Sequence, residues 1–246
     1  MRNSGIIIHD RRQGKRKLSG WRIIFVGLCL SIGTILSLWG RSREASAKVY
    51  KEGFSYKKID EEIKERMDGV SYHKNSDISY DDLRYLKVKY YNFKGKVKNG
   101  EMVVNKKIAL RTVKIFYKLY QMKYPIQRMK LIDDYGGDDE KSMSANNSSA
   151  FNYRKIAGKK KLSNHAFGMA IDINPKINPY ITSSGVAPKN GKVYANRNKK
   201  SCKGKYADYM ITKNSEIVKL FKKHGFSWGG DWKNSKDYQH FEYKKK

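Results

Sequence analysis

Two short polar motifs lie far apart in this chain, so only a tertiary fold can bring their side chains together. The first, SNHAFGMAID, occupies residues 163–172, and the second, DYQHFE, occupies residues 237–242. Within the first motif, His165 and Asp172 are too far apart in sequence to share one helical turn. A loop that ends in a strand can direct both side chains toward one point, and Gly168 permits the close turn between them. The spacing therefore favours a loop followed by a buried strand.

His165, Asp172 and His240 form a ligand set of the kind that holds a catalytic zinc ion. Two imidazoles and one carboxylate suit zinc, and they leave its fourth position for water. Asp237, three residues before His240, is placed to act as general base for that water. Glu242 lies two residues after His240 and on the same face of a strand, so it is either a rival base or a partner that orients a ligand. These residues predict a zinc hydrolase.

The two motifs, written S-x-H-x(6)-D and D-x-x-H-F-E, resemble those of the D-alanyl-D-alanine carboxypeptidase family of bacterial zinc peptidases. That family includes vancomycin-resistance-type carboxypeptidases and L-alanyl-D-glutamate endopeptidases. The resemblance extends from about residue 86 to residue 243 and takes in residues 149–154, 178–180 and 228–232. It implies a small α+β domain of hedgehog-like architecture, in which an antiparallel sheet flanked by helices carries one zinc ion. It also implies peptidoglycan stem peptides as the substrate.

The resemblance assigns roles to two further residues. Arg154, eleven residues before His165, matches the family's arginine in the block before the zinc motif. Such an arginine stabilises the oxyanion formed by attack on a peptide carbonyl, or binds a substrate carboxylate through two hydrogen bonds. Ser163 either hydrogen-bonds the substrate or supports the ligand loop. Family members carry Glu or Asp at the position of Asp237, which favours Asp237 over Glu242 as the base.

The formal net charge of +30 is not confined to one tail of the chain. Beyond residue 47 there are 44 basic and 21 acidic residues, a net charge of +23. Such a field attracts polyanions of any kind, including nucleic acid, anionic lipid and anionic wall polymers. No nucleic-acid-binding motif is recognisable, and the lysines are not interleaved with aromatic residues. We therefore expect anionic cell-wall polymers, and not nucleic acid, as partners.

An apolar segment near the N-terminus, IIFVGLCLSIGTILSLWG at residues 23–40, is uncharged and close to the length that crosses a bilayer. Seven basic residues precede it, so the positive-inside bias predicts a cytoplasmic N-terminus and an extracellular catalytic domain. The alternative is a signal peptide cleaved after the Ala-Ser-Ala sequence at residues 45–47, which would release a secreted protein.

We expect a monomer whose chain is divided into four parts. They are a cytoplasmic basic tail at residues 1–22, a transmembrane signal-anchor at 23–40, a polar stalk at 41–56 and a zinc peptidase domain at 57–246. Within the domain we expect a hairpin with a tight turn at Asn99-Gly100, a helix that ends before Pro125, and a second helix at about 215–224. Hairpins mixed with helices, without βαβ periodicity, predict an α+β fold with an antiparallel sheet.

The sequence leaves two functions open. The leading hypothesis is hydrolysis of a stem-peptide bond, either D-Ala-D-Ala as a carboxypeptidase or L-Ala-D-Glu as an endopeptidase. The alternative is a non-catalytic wall-binding or polyanion-binding module that retains a structural zinc ion. A structural zinc is normally closed by a fourth protein ligand, which favours the peptidase.

Overall fold

Four antiparallel strands form one sheet of the computed structural model, which describes residues 46–244. They run in chain order across the sheet: β1 (Lys48–Lys51), β2 (Phe54–Lys58), β3 (Leu83–Tyr91) and β4 (Val97–Asn105). A short helix, α1 (Glu61–Met67), follows β2, and Asp60 caps it by accepting the Ile63 N–H at 3.2 Å. The sheet and the elements packed on it contain most of the core.

The first two strands correct the predicted stalk at residues 41–56. From Lys48 onward these residues belong to the sheet, and Phe54 is only 1% exposed. The ring of Phe54 packs against Tyr117 and Tyr120, with centroids 5.2 and 5.5 Å away. The order of the apolar residues Val49, Tyr50, Phe54 and Tyr56 does not by itself show that Phe54 belongs to a core, because its partners come from a helix much later in the chain. The folded domain therefore includes residues before position 57.

The predicted hairpin is confirmed, but its turn lies at residues 92–96 and not at Asn99-Gly100. Asn99 is paired with Lys89 inside the ladder. The Asn92 side chain closes the turn by accepting the N–H groups of Lys94 and Lys96, at 2.9 and 3.0 Å. The register that buries β3 therefore outweighs the local turn preference of Asn-Gly.

Two helices pack on the core side of the domain. The first, α2 (Ala109–Gln121), buries one face against the sheet, and this face includes Thr112, Ile115, Phe116 and Leu119. The predicted C-terminal helix is confirmed as α4 (Glu216–Lys223), which buries Ile217, Val218 and Phe221. A shorter helix, α3 (Asp139–Ser144), follows a turn that contains Gly136 and Gly137.

Three smaller sheets surround the candidate site. β5 (Arg128–Met129) and β6 (Asn147–Ser148) form a parallel pair. A second sheet is antiparallel in the order β10 (Phe226–Trp228), β12 (His240–Tyr243), β7 (Ala170–Asp172). A third, also antiparallel, has the order β11 (Lys236–Asp237), β8 (Tyr180–Thr182), β9 (Gly185–Ala187). The two sequence motifs thus lie on neighbouring short strands.

The observed architecture is a mixed α and β fold with antiparallel sheets and few helices, which agrees with the predicted class. Among residues 46–244, none of the helices combines the length and the apolar character needed to cross a bilayer. The predicted tail at residues 1–22 and signal-anchor at 23–40 lie outside the described residues.

Candidate metal centre

Three side chains converge at the place where β7 meets β12. Asp172 and His240 are register partners in this pair, and His240 Nδ1 lies 3.0 Å from Asp172 Oδ1. His165 Nε2 lies 3.2 Å from His240 Nδ1 and 3.3 Å from Asp172 Oδ2. All three residues are nearly buried. The structure therefore brings the three predicted ligands to one point.

His165 is held by a single turn of 3₁₀ helix, Asn164–Phe167, just before β7. The Ser163 hydroxyl caps this turn by accepting the backbone N–H of His165 at 3.3 Å. Gly168 ends the turn with φ +62°, and a Cβ at this position would lie 2.6 Å from the backbone nitrogen of Asn105. Only glycine fits so close to β4 in this conformation. Ser163 thus supports the ligand loop, and its predicted contact with substrate stays a prediction.

The outward-facing nitrogen of each imidazole has its own partner. His165 Nδ1 lies 2.5 Å from the carbonyl oxygen of Ala150, and His240 Nε2 lies 3.5 Å from Glu242 Oε2. Glu242 also accepts from the Asn164 amide and pairs with Lys244 Nζ at 2.9 Å. Partners of this kind keep a proton on the outer nitrogen and leave the inner lone pair for a metal. Glu242 is therefore arranged to orient His240.

The electrostatics of this cluster favour a positive charge at its centre. Burial would raise the pKa of Asp172, but the neighbouring His165 and His240 hold it well below its usual range. Burial would lower the pKa of His240, but Asp172 and Glu242 raise it to about 10. Both shifts reflect the attraction between the Asp172 carboxylate and the imidazoles beside it, which favours the charged form of each group.

The donor set fits a zinc ion. Ligand atoms about 2.0–2.2 Å from a tetrahedral zinc lie about 3.3 Å from one another. The two imidazole nitrogens lie 3.2 Å apart, and each faces one oxygen of the Asp172 carboxylate, His240 Nδ1 at 3.0 Å from Oδ1 and His165 Nε2 at 3.3 Å from Oδ2, so the distances are close to that value. His165, Asp172 and His240 could therefore hold the metal. A search of residues 46–244 for three or more His, Cys, Asp or Glu ligand atoms that lie close together finds this group.

Asp237 lies beside these ligands on β11, paired with Tyr180. A Cβ added to Gly229 would lie 2.8 Å from the Asp237 Cβ and 3.2 Å from the His240 Cβ, so the two side chains begin as neighbours. Asp237 Oδ1 is buried and has no hydrogen-bond partner among the described residues. Burial, together with the charge of Asp172, raises the pKa of Asp237 to about 7 against the opposing effect of His240. An unpartnered carboxylate oxygen with such a pKa is suited to accept a proton.

Arg154 lies on the segment that leads into the ligand loop. Its carbonyl oxygen accepts the Ser163 N–H at 3.1 Å, and its guanidinium pairs with the Asp139 carboxylate at the start of α3. Asp139 also accepts the Asn152 amide at 3.1 Å. The Arg154 side chain as a whole is about one-third exposed. Its two predicted roles toward the substrate stay predictions.

Some contacts at the site had no signal in the sequence. The Ala150 carbonyl is a backbone group, so no residue type could point to its contact with His165. Trp232, which the resemblance includes, packs against His240 with ring centroids 5.4 Å apart.

Arg197 stacks over Tyr238 at 4.2 Å, although its Lys-rich neighbourhood resembles an exposed loop. Burial lowers the pKa of Arg197 to about 10, and its guanidinium donates to the carbonyls of Ile177, Tyr194 and Ile211 and to the Asn178 side chain.

The fold and the site together define a mixed α/β protein with a His-Asp-His cluster and an adjacent aspartate. Residues 157–243 match the family model described as D-alanyl-D-alanine carboxypeptidase, which confirms the resemblance seen in the motifs. The match includes all three candidate ligands, Asp237 and Glu242, and it begins after Arg154. The comparisons with curated proteins and with solved structures gave no match. The chain is thus similar to peptidases of this family.

Proposed function

We propose that this protein is a zinc-dependent peptidase that hydrolyses peptide bonds in peptidoglycan stem peptides. The proposal depends on one observation, the convergence of three zinc-type ligand residues beside the Asp237 carboxylate, whose Oδ1 atom is buried and has no hydrogen-bond partner among the described residues. The family match covers both parts of this arrangement and supports the peptidase class. The stem-peptide substrate is inferred from the family and goes beyond the match itself.

When bound, a zinc ion would supply a Lewis acid that polarises the scissile carbonyl and makes a water molecule more acidic. Asp237 accepts a proton from the attacking water at Oδ1 and then delivers it to the leaving amine. Its pKa of about 7 suits both steps, because the group can take up and release a proton near neutral pH. His165, Asp172 and His240 would hold the metal.

Glu242 is a positioning residue in this proposal and not the base. Contact with the His240 ring and the bonds from Lys244 and Asn164 lower the pKa of Glu242 to about 2. A carboxylate committed to three donors is a poor proton acceptor. This contrast favours Asp237 as the base.

Arg154 acts on the substrate, either at the developing oxyanion or at a terminal carboxylate. In the second role the guanidinium has to share its hydrogen bonds between the substrate and Asp139. Amidation of the substrate's C-terminus distinguishes the roles. A carboxylate-binding arginine loses its importance for the amidated peptide, whereas an oxyanion-binding arginine stays equally important.

The central experiment compares two conservative variants. Asp237→Asn should keep zinc and fold but lose about 100-fold or more in kcat on a soluble stem peptide. Asp231→Asn is the matched control, because Asp231 pairs with Lys222 at 2.6 Å on the same C-terminal segment. An inactive Glu242→Gln beside a near-normal Asp237→Asn would reverse the assignment of the base.

The reaction products identify which peptide bond is cut. Mass spectrometry of digested muropeptides separates loss of a terminal D-Ala from cleavage between L-Ala and D-Glu. A zinc-loaded protein that releases neither product would instead support the alternative, a wall-binding module with a structural zinc ion.

We further propose that the domain works outside the cytoplasm as a monomer, attached to the membrane through residues 23–40 and drawn to anionic wall polymers by its net charge. The charge asymmetry around the apolar segment supports this placement. A mature N-terminus at Lys48 would show that the chain is cleaved and secreted.

A further inference from the structure

The positive charge of this protein is concentrated in the part of the chain that builds the candidate metal centre. Residues 141–207 contain fourteen Lys and Arg residues, and Asp172 is their only acid. The other described residues, 46–140 and 208–244, contain 28 basic and 20 acidic residues. Because Asp172 faces the two histidines, it does not offset the charge at the surface of this segment.

Part of this charge lies on a short hairpin at residues 154–163, which we call the basic hairpin. Ser163 donates to the Arg154 carbonyl at 3.1 Å, and Ile156 donates to the Lys161 carbonyl at 2.9 Å. Lys155 and Leu162 are paired across the hairpin. These bonds give the basic hairpin a defined structure, and the chain continues from it directly into the loop that carries His165.

Four lysines of the basic hairpin are exposed to solvent, namely Lys155, Lys159, Lys160 and Lys161. None of the ion pairs formed among residues 46–244 includes any of the four. Consecutive Cα atoms are about 3.8 Å apart, and the Debye length is about 8 Å at physiological ionic strength, so their charges are not screened from one another. Together the four lysines form one exposed cationic surface.

This surface lies at a limited distance from the candidate metal centre. Lys161 is four residues before His165, and an extended chain spans at most about 3.6 Å per residue. Its Cα atom is therefore within about 14 Å of the His165 Cα atom. An anion bound at Lys161 would therefore lie close to the loop that carries His165.

We propose that the basic hairpin binds an anionic phosphodiester polymer of the cell wall. This binding would hold the candidate metal centre close to stem peptides. The inference rests on the proposed function, since it supplies a partner for the same site. All four exposed cations are lysines, which act as point charges toward phosphate, whereas arginine is preferred for paired bonds to carboxylates. A flexible polymer with one charge in each repeat can contact several of these lysines at once.

The test uses two variants that lose the same charge from exposed positions. The first changes Lys155, Lys159, Lys160 and Lys161 to Gln. The control changes Lys94, Lys96, Lys98 and Lys123 to Gln, all of them exposed and outside the charged segment. The full-length protein and both variants are titrated with soluble poly(glycerol phosphate) over a series of salt concentrations. Thermal unfolding and zinc content verify that each variant is intact.

The hairpin variant should bind the polymer at least about tenfold more weakly, and the control variant about twofold more weakly. The slope of log K against log salt should fall by about 0.7 for each phosphate contact that is lost, as for single-stranded nucleic acid. Equal losses in the two variants would overturn the assignment and would mean that the charge acts as a uniform field. Equally tight binding of poly-L-glutamate, or tighter binding of single-stranded DNA, would overturn the choice of partner. Because binding is measured without turnover, a missing peptidase activity would contradict the proposed function alone.

Discussion

His240 and Asp172 face each other across the paired strands β12 and β7, with Nδ1 and Oδ1 3.0 Å apart. The two residues come from opposite ends of the matched region, and the strand register fixes their separation. His165 reaches the same point from a capped 3₁₀ turn. Backbone hydrogen bonds of the paired strands and of the turn therefore position all three side chains.

Removal of any one candidate ligand should abolish zinc binding. His165→Ala, Asp172→Ala and His240→Ala each leave two donors, which is too few for a stable site. His224→Ala serves as the control, because His224 lies at the end of α4 and away from the cluster. Zinc content is measured by metal analysis after dialysis. A variant that keeps a full equivalent of zinc would remove its residue from the ligand set.

Glu242→Gln should weaken zinc binding by about 10–100-fold while the fold is retained, because residues that orient a metal ligand have effects of this size. The measurement is competition against a chelator of known affinity. Glu216→Gln, which removes an exposed carboxylate paired with Lys219, should bind zinc like the unchanged protein. Unaltered affinity in Glu242→Gln would show that the contact with His240 does not position the ring.

Gly168→Ala should destabilise the protein by well over 1 kcal/mol, because it combines an unfavourable positive φ with a collision against the backbone of Asn105. Gly158→Ala separates the two effects. Gly158 has φ +71°, and a Cβ at this position would meet nothing within 4 Å. The free energy of unfolding, measured with urea, should fall by only about 1 kcal/mol for Gly158→Ala. Equal losses would mean that the contact with β4 has no cost of its own.

Glu101 should make stability depend on pH in the acid range. Burial would raise the pKa of Glu101, but two bonds from Arg66, at 2.7 and 2.9 Å, and one from Tyr85, at 2.6 Å, lower it below the ordinary value of 4.5. The folded state therefore binds fewer protons than the unfolded state between these two pKa values. The contribution is complete above pH 4.5 and is lost as the pH falls through the lowered pKa.

Glu101→Gln should therefore unfold more readily than the unchanged protein at pH 7, by about 1 kcal/mol or more. The difference should shrink as the pH falls below about 4.5. Glu65→Gln, at an exposed position of α1, should track the unchanged protein at every pH. A difference between Glu101→Gln and the unchanged protein that stays constant from pH 7 to pH 3 would show that the carboxylate charge is not responsible.

The sequence was most informative where the residue type itself carries the chemistry. Histidine is rare in this chain, which contains five, and the spacing of each motif indicates how the local backbone presents His165, Asp172 and His240. The buried faces of α2 and α4 were also predictable, since helical periodicity shows directly in the order of apolar residues.

The tertiary structure decided everything that depends on partners distant in sequence. Phe54 becomes a core residue because α2 supplies Tyr117 and Tyr120, and Asn99 lies in a strand because β3 supplies its register. The distinct tasks of two carboxylates follow the same principle. The ordinary pKa of Asp237, 3.8, is below that of Glu242, 4.5, but burial raises the pKa of Asp237 to about 7, whereas three donors lower that of Glu242 to about 2. The sequence by itself determined which groups are present, and the fold alone determined their surroundings, because desolvation and hydrogen bonding exist only once the chain has packed.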